Sequence, residues 1–418
     1  MAPTVPTAPS PAEATIVVVG AGLAGLRACE RLRAAGHVGR LVVVGDEEHP
    51  PYNRPPLSKE VLRGTTTREK LPFRQRPTTA DVEWRLGVRV TTVDLDARTV
   101  TLDDGSTLAY DGLVYAAGVR ARRLDLAGEL SWRHTIRTLE DAERLAPELR
   151  PGSRVVVVGA GFIGCEVAAT AVTLGCDVTV VEPLPTPLER PVGAVLGREV
   201  QRRHESHGVR FALGRVVTAI EDAGEHLEVV LDSGARVAAD VVVEAVGSQA
   251  NTEPLAGLGL DLTNGVLCDD GLHPLRGGDP VLDVVVVGDV ARFPVRGYGD
   301  DAVRIEHWSM PTDMSAHAAA SLLAGLAGEP VPGDGFAPLP SFWSEQYGVR
   351  MQSFGLPHLG VADVRVLEGD LTGEAVLGFH APDGSLVGVV LLGLPKRMLE
   401  FRSAVVDARA AQTLEPAG

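Results

Sequence analysis

The sequence predicts an α/β chain with two doubly wound parallel-sheet domains followed by a smaller α+β domain. Three observations predict it. A short apolar run that enters a glycine-rich turn and then a helical stretch occurs twice, with its first glycines at Gly20 and Gly159, 139 residues apart. Each copy is followed by an alternating stretch, an Asp/Gly turn and a returning apolar run that ends in glycine, and a repeated layout is a stronger signal than either motif alone. Beyond residue 330 the pattern changes to short alternating runs and one final helical stretch.

In the first copy, residues 15–20 (TIVVVG) suit a strand buried on both faces. Gly20-Ala21-Gly22-Leu23-Ala24-Gly25 follows, then a helix over 26–35 and a second strand over 40–44 ending at Gly45-Asp46-Glu47. This is the order of a dinucleotide-binding βαβ unit. Gly20 makes the tight turn, Gly22 lets a pyrophosphate approach the backbone, and Gly25 lets helix and strand pack closely. The helix N-terminus holds the phosphate charge, and Asp46 or Glu47 is placed to accept ribose hydroxyls.

The second copy has a strand over 154–158, the loop Gly159-Ala160-Gly161-Phe162-Ile163-Gly164, a helix over 165–174 and a strand over 177–181 ending at Glu182. A carboxylate there accepts both hydroxyls of an adenosine ribose and repels a 2′-phosphate, so NADH is expected over NADPH. Arg190 and Arg198 stand close by in sequence as phosphate-binding alternatives.

Residues 88–102 alternate and meet Asp103-Asp104-Gly105, a hairpin signal. Residues 107–118 read as one strand returning to Gly118, and 226–247 repeat the pattern through Asp232-Ser233-Gly234 to Gly247. Leu282–Val287 reads as a third parallel strand ending in Gly288-Asp289, where a carboxylate faces the ligand crevice of such a sheet. Trp308 is read either as core or as a flavin wall, and His307 as either an acid–base group or structural. A helix is expected over 311–325. PVPGDG and PLPSF read as a linker, and the last domain is expected to hold strands near 349–354, 362–368, 374–380 and 385–392 and a helix over 396–407. The domains so defined are a disordered leader at 1–14, a discontinuous first domain at 15–121 and 251–330, a second at 122–250 and a third at 331–418.

Composition narrows the function. A chain of 418 residues and 45% hydrophobic content builds several cores. A net charge of −16 argues against a broad basic face for nucleic acid. No run of 18 apolar residues is present, so no membrane span is expected. The leader lacks the charged and apolar regions of a signal peptide, and a cytoplasmic protein is expected. The four cysteines, Cys29, Cys165, Cys176 and Cys268, form no C-x-x-C or C-x4-C pair. That argues against a redox disulfide and against a metal or iron–sulfur site, so no metal is expected. The only lysines are Lys59, Lys70 and Lys396.

These features resemble the pyridine-nucleotide-disulphide oxidoreductase fold, with two Rossmann-like domains for FAD and NAD. More narrowly, they resemble FAD-dependent NADH:ferredoxin reductases serving cytochrome P450 or ring-hydroxylating dioxygenase systems. The stretches that carry the likeness are PPYNRPPLSKEVL at 50–62, GAGFIGCEVA at 159–168, VVVVGDVA at 284–291, EHW at 306–308 and FWSEQYGVRMQSFG at 342–355. The resemblance implies that Arg54 and Lys59 contact FAD and that Lys59 pairs with Glu166 near the flavin. It places Asp289 on the ribityl chain, Trp308 beside the isoalloxazine and Glu182 on NADH. It also implies that Trp343 is the aromatic residue that the last domain contributes to the flavin pocket. Lys59, Glu166 and Trp308 are thus the candidates closest to the chemistry, and the partner implied is a [2Fe–2S] ferredoxin, with a monomer or homodimer expected.

Several positions depart from that pattern. Asn53 replaces an acid, Ala116-Ala117-Gly118 lacks a threonine, and Met310, Pro311 and Met314 replace polar residues. The absent cysteine pair implies electrons leaving the flavin directly, with Arg296, Arg304 and Arg350 as candidate docking charges. An NAD(P)H oxidase, a quinone or dye reductase, and a non-catalytic flavin-binding signalling protein are the alternatives.

Overall fold

The computed structural model describes residues 10–127, 131–299, 301–331 and 333–414. They divide into two units. One comprises Met1–Asn53, Pro72–Val119 and Ala250–Pro338, the other Arg54–Leu71, Arg120–Gln249 and Leu339–Gly418.

The first unit is built on a five-stranded parallel sheet in the order Val284–Val286, Gly112–Tyr115, Ile16–Val19, Leu41–Gly45, Glu83–Leu86. Ile16 sits between Leu41 and Gly112 in register. The Val-rich central strands are almost fully buried because both faces are covered, which is the usual condition of a parallel sheet. The helices Leu23–Ala34 and Met310–Ala327 supply apolar faces to this core. An antiparallel insert, Val90–Asp94, Thr99–Leu102 and Thr107–Ala109, stands beside it.

The second unit repeats the plan. Its parallel sheet runs Arg210–Leu213, Asp177–Glu182, Arg154–Val158, Val241–Glu244, Arg133–His134, with an insert of Val217–Asp222, Leu227–Leu231 and Arg236–Ala239. It also carries a five-stranded antiparallel sheet ordered Ser341–Gln346, Val349–Gly355, Leu386–Leu392, Ala375–His380, Val364–Gly369, and the helix Met398–Leu414.

Several details differ from the sequence reading. Both glycine-loop helices start three residues earlier than expected, at Leu23 and Phe162, because the second glycine of each loop is itself the N-cap. The expected single strand over 107–118 breaks at Tyr110-Asp111. There the Asp111 carboxylate accepts the Thr15 N–H at 2.7 Å and pins the start of the central strand. Asp240 does the same for the Arg154 N–H at 2.8 Å in the second unit. The stretch read partly as linker contains the strand Ser341–Gln346, closed onto Val349–Gly355 by the two-residue turn Tyr347-Gly348 with φ of 53° and 74°. Finally, residues 54–71 were expected in the first domain but group with the second unit, for reasons given by Glu166 below.

Residues 1–9 of the expected leader lie outside the described residues. Residues 10–14 are not loose: the Ala12 carbonyl accepts the Val38 and Gly39 N–H groups at 2.8 and 2.9 Å, and Ala14 is buried. Among the described residues no helix is long and apolar enough to cross a membrane.

A buried ion pair ties the edge of the second parallel sheet. Arg133 reaches Glu244 at 2.6 Å, with side chains 1% and 0% exposed. The guanidinium also donates to the carbonyls of Leu124 and Leu126, both at 2.8 Å. Removing one partner of such a pair leaves a charge stranded in the core. Glu244→Ala is therefore expected to cost about 3–5 kcal/mol in denaturant unfolding. The double change Arg133→Met with Glu244→Leu is expected to cost clearly less.

Candidate functional site

The two glycine loops are near copies in three dimensions. Gly20 has φ +117°, and a Cβ there would lie 2.1 Å from the Ala116 carbonyl oxygen. Gly159 has φ +101°, and its Cβ would lie 2.3 Å from that of Ala245. In both loops the third glycine meets the first: a Cβ on Gly25 or Gly164 would stand 2.0 Å from the oxygen of Gly20 or Gly159. The second glycines differ in kind. A Cβ on Gly22 or Gly161 would meet nothing within 4 Å. Each loop thus has an open cradle at the N-terminus of a twelve-residue helix that has no side-chain cap. Unspent N–H groups and the helix dipole face that cradle, which suits the pyrophosphate of a dinucleotide.

The acids at the strand ends are unequal. Asp46 is exposed just after Leu41–Gly45, while its neighbour Glu47 accepts from the Tyr52 hydroxyl at 2.6 Å. Glu182 is buried, and both its oxygens hold backbone: one accepts the Ala160 N–H at 2.6 Å, the other the Leu184 N–H at 3.0 Å. The carboxylate is thereby oriented at the loop with lone pairs to spare. Arg190 is exposed in the first turn of Glu189–Ser206, and Arg198 is exposed further along it. Gly118 and Gly247 both take positive φ, at 62° and 98°, where the returning chain leaves its sheet.

In the first unit, Asp289 follows Gly288 just beyond Val284–Val286. Gly288 takes φ +85°, and a Cβ there would lie 3.0 Å from that of Ala24 at the start of the glycine-loop helix. Met310, Pro311 and Met314 are buried rather than lining a surface, and the Met314 sulfur accepts the Gly288 N–H at 3.4 Å. Trp308 is 41% exposed, which overturns the core reading. Its indole N–H donates to Asn53 Oδ1 at 2.9 Å, so the amide oxygen serves as the acceptor that an acid would provide there. His307 Nδ1 lies 2.8 Å from the Ser309 hydroxyl. Of the candidate docking charges in this unit, Arg296 pairs with Asp270 and Arg304 with Glu306, each at 2.7 Å. Both are balanced charges.

In the second unit, Lys59 and Glu166 form a buried pair at 2.5 Å, with side chains 8% and 6% exposed. Both oxygens of Glu166 are engaged. Oε2 also accepts from the Ser58 hydroxyl at 2.6 Å, and Oε1 from the Ser344 hydroxyl at 2.8 Å. Thr170, one turn on, donates to the Ser58 carbonyl at 2.8 Å. These bonds are why residues 54–71 belong to this unit: a buried carboxylate and ammonium must both be paired. Arg54 donates to the Arg137 carbonyl at 2.6 Å. Trp343 lies between two cations, with Lys59 Nζ 5.4 Å and the Arg350 guanidinium 5.0 Å from the ring centre. Ser58 and Ser344 were not singled out from the sequence, since a serine in a loop or a strand carries no signal of its own.

All four cysteines are buried and free. Burial pushes the Cys29 thiol up to about 12 and that of Cys176 up to about 11, and it raises Cys165 and Cys268 as well. None is poised as a thiolate.

The chain matches two protein-family models: "Pyridine nucleotide-disulphide oxidoreductase" over residues 14–319 and "Reductase C-terminal" over residues 341–416. It is 35% identical over 413 residues to the ferredoxin reductase component of chlorobenzene dioxygenase from Cupriavidus sp. (strain PS12), covering 95% of each chain. It is 35% identical to rhodocoxin reductase from Rhodococcus erythropolis, covering 93% of this chain and 88% of that one. Among solved structures it is similar to the covalent putidaredoxin reductase–putidaredoxin complex, with a TM-score of 0.84 and 31% identity over 95% of this chain and 93% of that one.

The loop geometry separates two glycine roles by experiment. Gly161→Ala is expected to change stability by no more than about 0.5 kcal/mol, because its Cβ enters open space. Gly164→Ala is expected to lose about 2 kcal/mol or more, because its Cβ overlaps a carbonyl. Thermal unfolding of the two variants measures the difference.

Proposed function

Because the chain belongs to the pyridine nucleotide-disulphide oxidoreductase family and carries its reductase C-terminal domain, we propose that it is an FAD-dependent NADH:ferredoxin oxidoreductase whose [2Fe–2S] ferredoxin serves a ring-hydroxylating dioxygenase or a cytochrome P450. The observation that carries this reading is the pair of equivalent open glycine cradles in a chain whose thiols are all buried. Two dinucleotides have a place, and the four cysteines are free and buried rather than paired as a dithiol.

When bound, FAD supplies the chemistry, since a flavin takes up a hydride and releases single electrons. The protein's part is to hold and orient. Gly20, Gly22 and Gly25 with the first turn of Leu23–Ala34 receive the FAD pyrophosphate. Asp46 accepts from ribose, Asp289 from the ribityl chain, and Gly118 lets the returning strand turn beside them. Gly159, Gly161 and Gly164 receive NADH, with Gly247 at the matching return. Glu182, already oriented by Ala160 and Leu184, accepts from the adenosine ribose and repels a 2′-phosphate. Arg190, at the exposed start of its helix, is free of the core and available to the NADH phosphates. The roles of Arg54, Lys59, Glu166, Trp308 and Trp343 at the flavin are part of the same proposal.

Anaerobic stopped-flow reduction of the holoprotein by NADH and by NADPH tests it. NADH is expected to bleach the flavin at least about tenfold more efficiently, a difference of about 1.4 kcal/mol. Glu182→Ala is expected to narrow that ratio mainly through the NADH KM. Equal efficiency with NADPH would remove Glu182 from the selective role. Oxygen consumption as fast as the reduction of any added [2Fe–2S] ferredoxin would favour the oxidase reading.

A further inference from the structure

Glu166 is the end of a longer chain of hydrogen bonds within the second unit. Ser344 Oγ lies 2.8 Å from Glu166 Oε1. Gln346 Nε2 lies 3.3 Å from Ser344 Oγ, and Gln346 Oε1 lies 2.9 Å from His204 Nε2. His204 Nδ1 lies 2.7 Å from the Tyr347 hydroxyl. His204 and Ser344 are 0% and 1% exposed.

The carboxylate decides the direction of every bond. A carboxylate paired with an ammonium only accepts, so Ser344 donates to it. The serine oxygen then accepts from the Gln346 amide N–H, which turns the amide oxygen towards His204. His204 must therefore carry its proton on Nε2 and accept at Nδ1 from Tyr347. The surroundings agree. Burial holds the His204 imidazole neutral, with its pKa down to about 4, and pushes the Tyr347 phenol well above its usual range, so it remains a donor. All four donors point the same way, and such chains polarise one another.

Backbone strain marks the far end. Tyr347 takes φ 53° in its two-residue turn, a conformation that favours Asn or Gly and is unusual for a bulky residue. Its hydroxyl bond to His204 holds it there, as does the His207 ring stacked at 3.8 Å.

We propose that His204 and Gln346 are positioning residues for the Lys59–Glu166 pair: they act through Ser344 and keep the carboxylate fixed as an acceptor opposite the ammonium. The functional consequence rests on the proposed place of Lys59 at the flavin, while the chain itself does not. Besides Lys59, the groups facing its two ends are Cys165, a neutral thiol beside Glu166, Arg350 across Trp343, and His207 against Tyr347.

The test reverses the chain. In Glu166→Gln the amide oxygen must stay with Lys59 and Ser58, so its NH2 faces Ser344. Every bond then turns around, and His204 is expected to move its proton from Nε2 to Nδ1. The ¹⁵N shifts of the imidazole in the full-length holoprotein report this directly. An unchanged tautomer in a folded Glu166→Gln protein would overturn the proposal. Gln346→Met provides the second arm. It cuts the chain with a side chain of similar size, and in that background Glu166→Gln is expected to leave the tautomer as it is in Gln346→Met alone. A tautomer change that persists across the cut would also count against it.

For function, Gln346→Met is expected to slow flavin reduction by NADH about fivefold at unchanged KM, the size of a coupling near 1 kcal/mol. Adding Ser344→Ala is expected to slow it no further than Ser344→Ala alone. Additive effects would mean that Gln346 acts by another route. A switched tautomer with no effect on flavin reduction would leave the chain intact and remove Lys59 from the flavin, so the two readings fail separately.

Discussion

One buried carboxylate organises the second unit. Glu166 lies in the middle of Phe162–Thr173, a helix otherwise lined on its inner side by small and apolar groups. A carboxylate in that setting is costly unless every lone pair is engaged. Glu166 recruits its partners from segments 107 or more residues away: Ser58 and Lys59 from one, Ser344 from the other. That requirement brings residues 54–71 and the first strand of the antiparallel sheet against the same helix. The contact between Phe162 and Phe342, with ring centres 4.8 Å apart, closes the apolar side of the arrangement.

The two glycine loops show how far a duplicated plan is preserved. Both parallel sheets pin the start of the central strand with an aspartate side chain, Asp111 in one and Asp240 in the other. Both loops bring the third glycine onto the carbonyl of the first. The copies part at the acid that ends the next strand. Asp46 is left to solvent, whereas Glu182 is drawn into its own loop by two backbone N–H groups. The same local fold thus presents one adaptable carboxylate and one fixed one.

Trp308 and the three positions around it illustrate a change of reading that only packing supplies. In the sequence, Met310, Pro311 and Met314 look like lost polar groups beside a ligand. In the fold all three side chains are buried, and the Met314 sulfur takes up the Gly288 N–H, one residue before Asp289. Trp308 does the opposite: a residue that is costly to expose is left 41% exposed and tethered by Asn53. Arg296 and Arg304 looked available as docking charges, yet each has a carboxylate against it. Helix and strand periodicity carries no information about such neighbours.

What the sequence by itself determined is the part governed by local chemistry. Runs such as TIVVVG and RVVVVG can be little else than buried parallel strands, and a glycine at Gly20, Gly25, Gly159 or Gly164 is required because any Cβ would strike a carbonyl two to three ångströms away. Those constraints act over a few residues, so the two glycine-loop βαβ units, their cofactors and the acids that follow their second strands are legible in order. Only the tertiary structure decided which unit holds residues 54–71, which hydroxyls satisfy Glu166, and that His204, Gln346 and Tyr347 continue its hydrogen bonds. The physical reason is that a buried polar group accepts any partner of suitable geometry from anywhere in the chain. The need for a partner is legible at Glu166 alone, but the choice of partner is made by the fold.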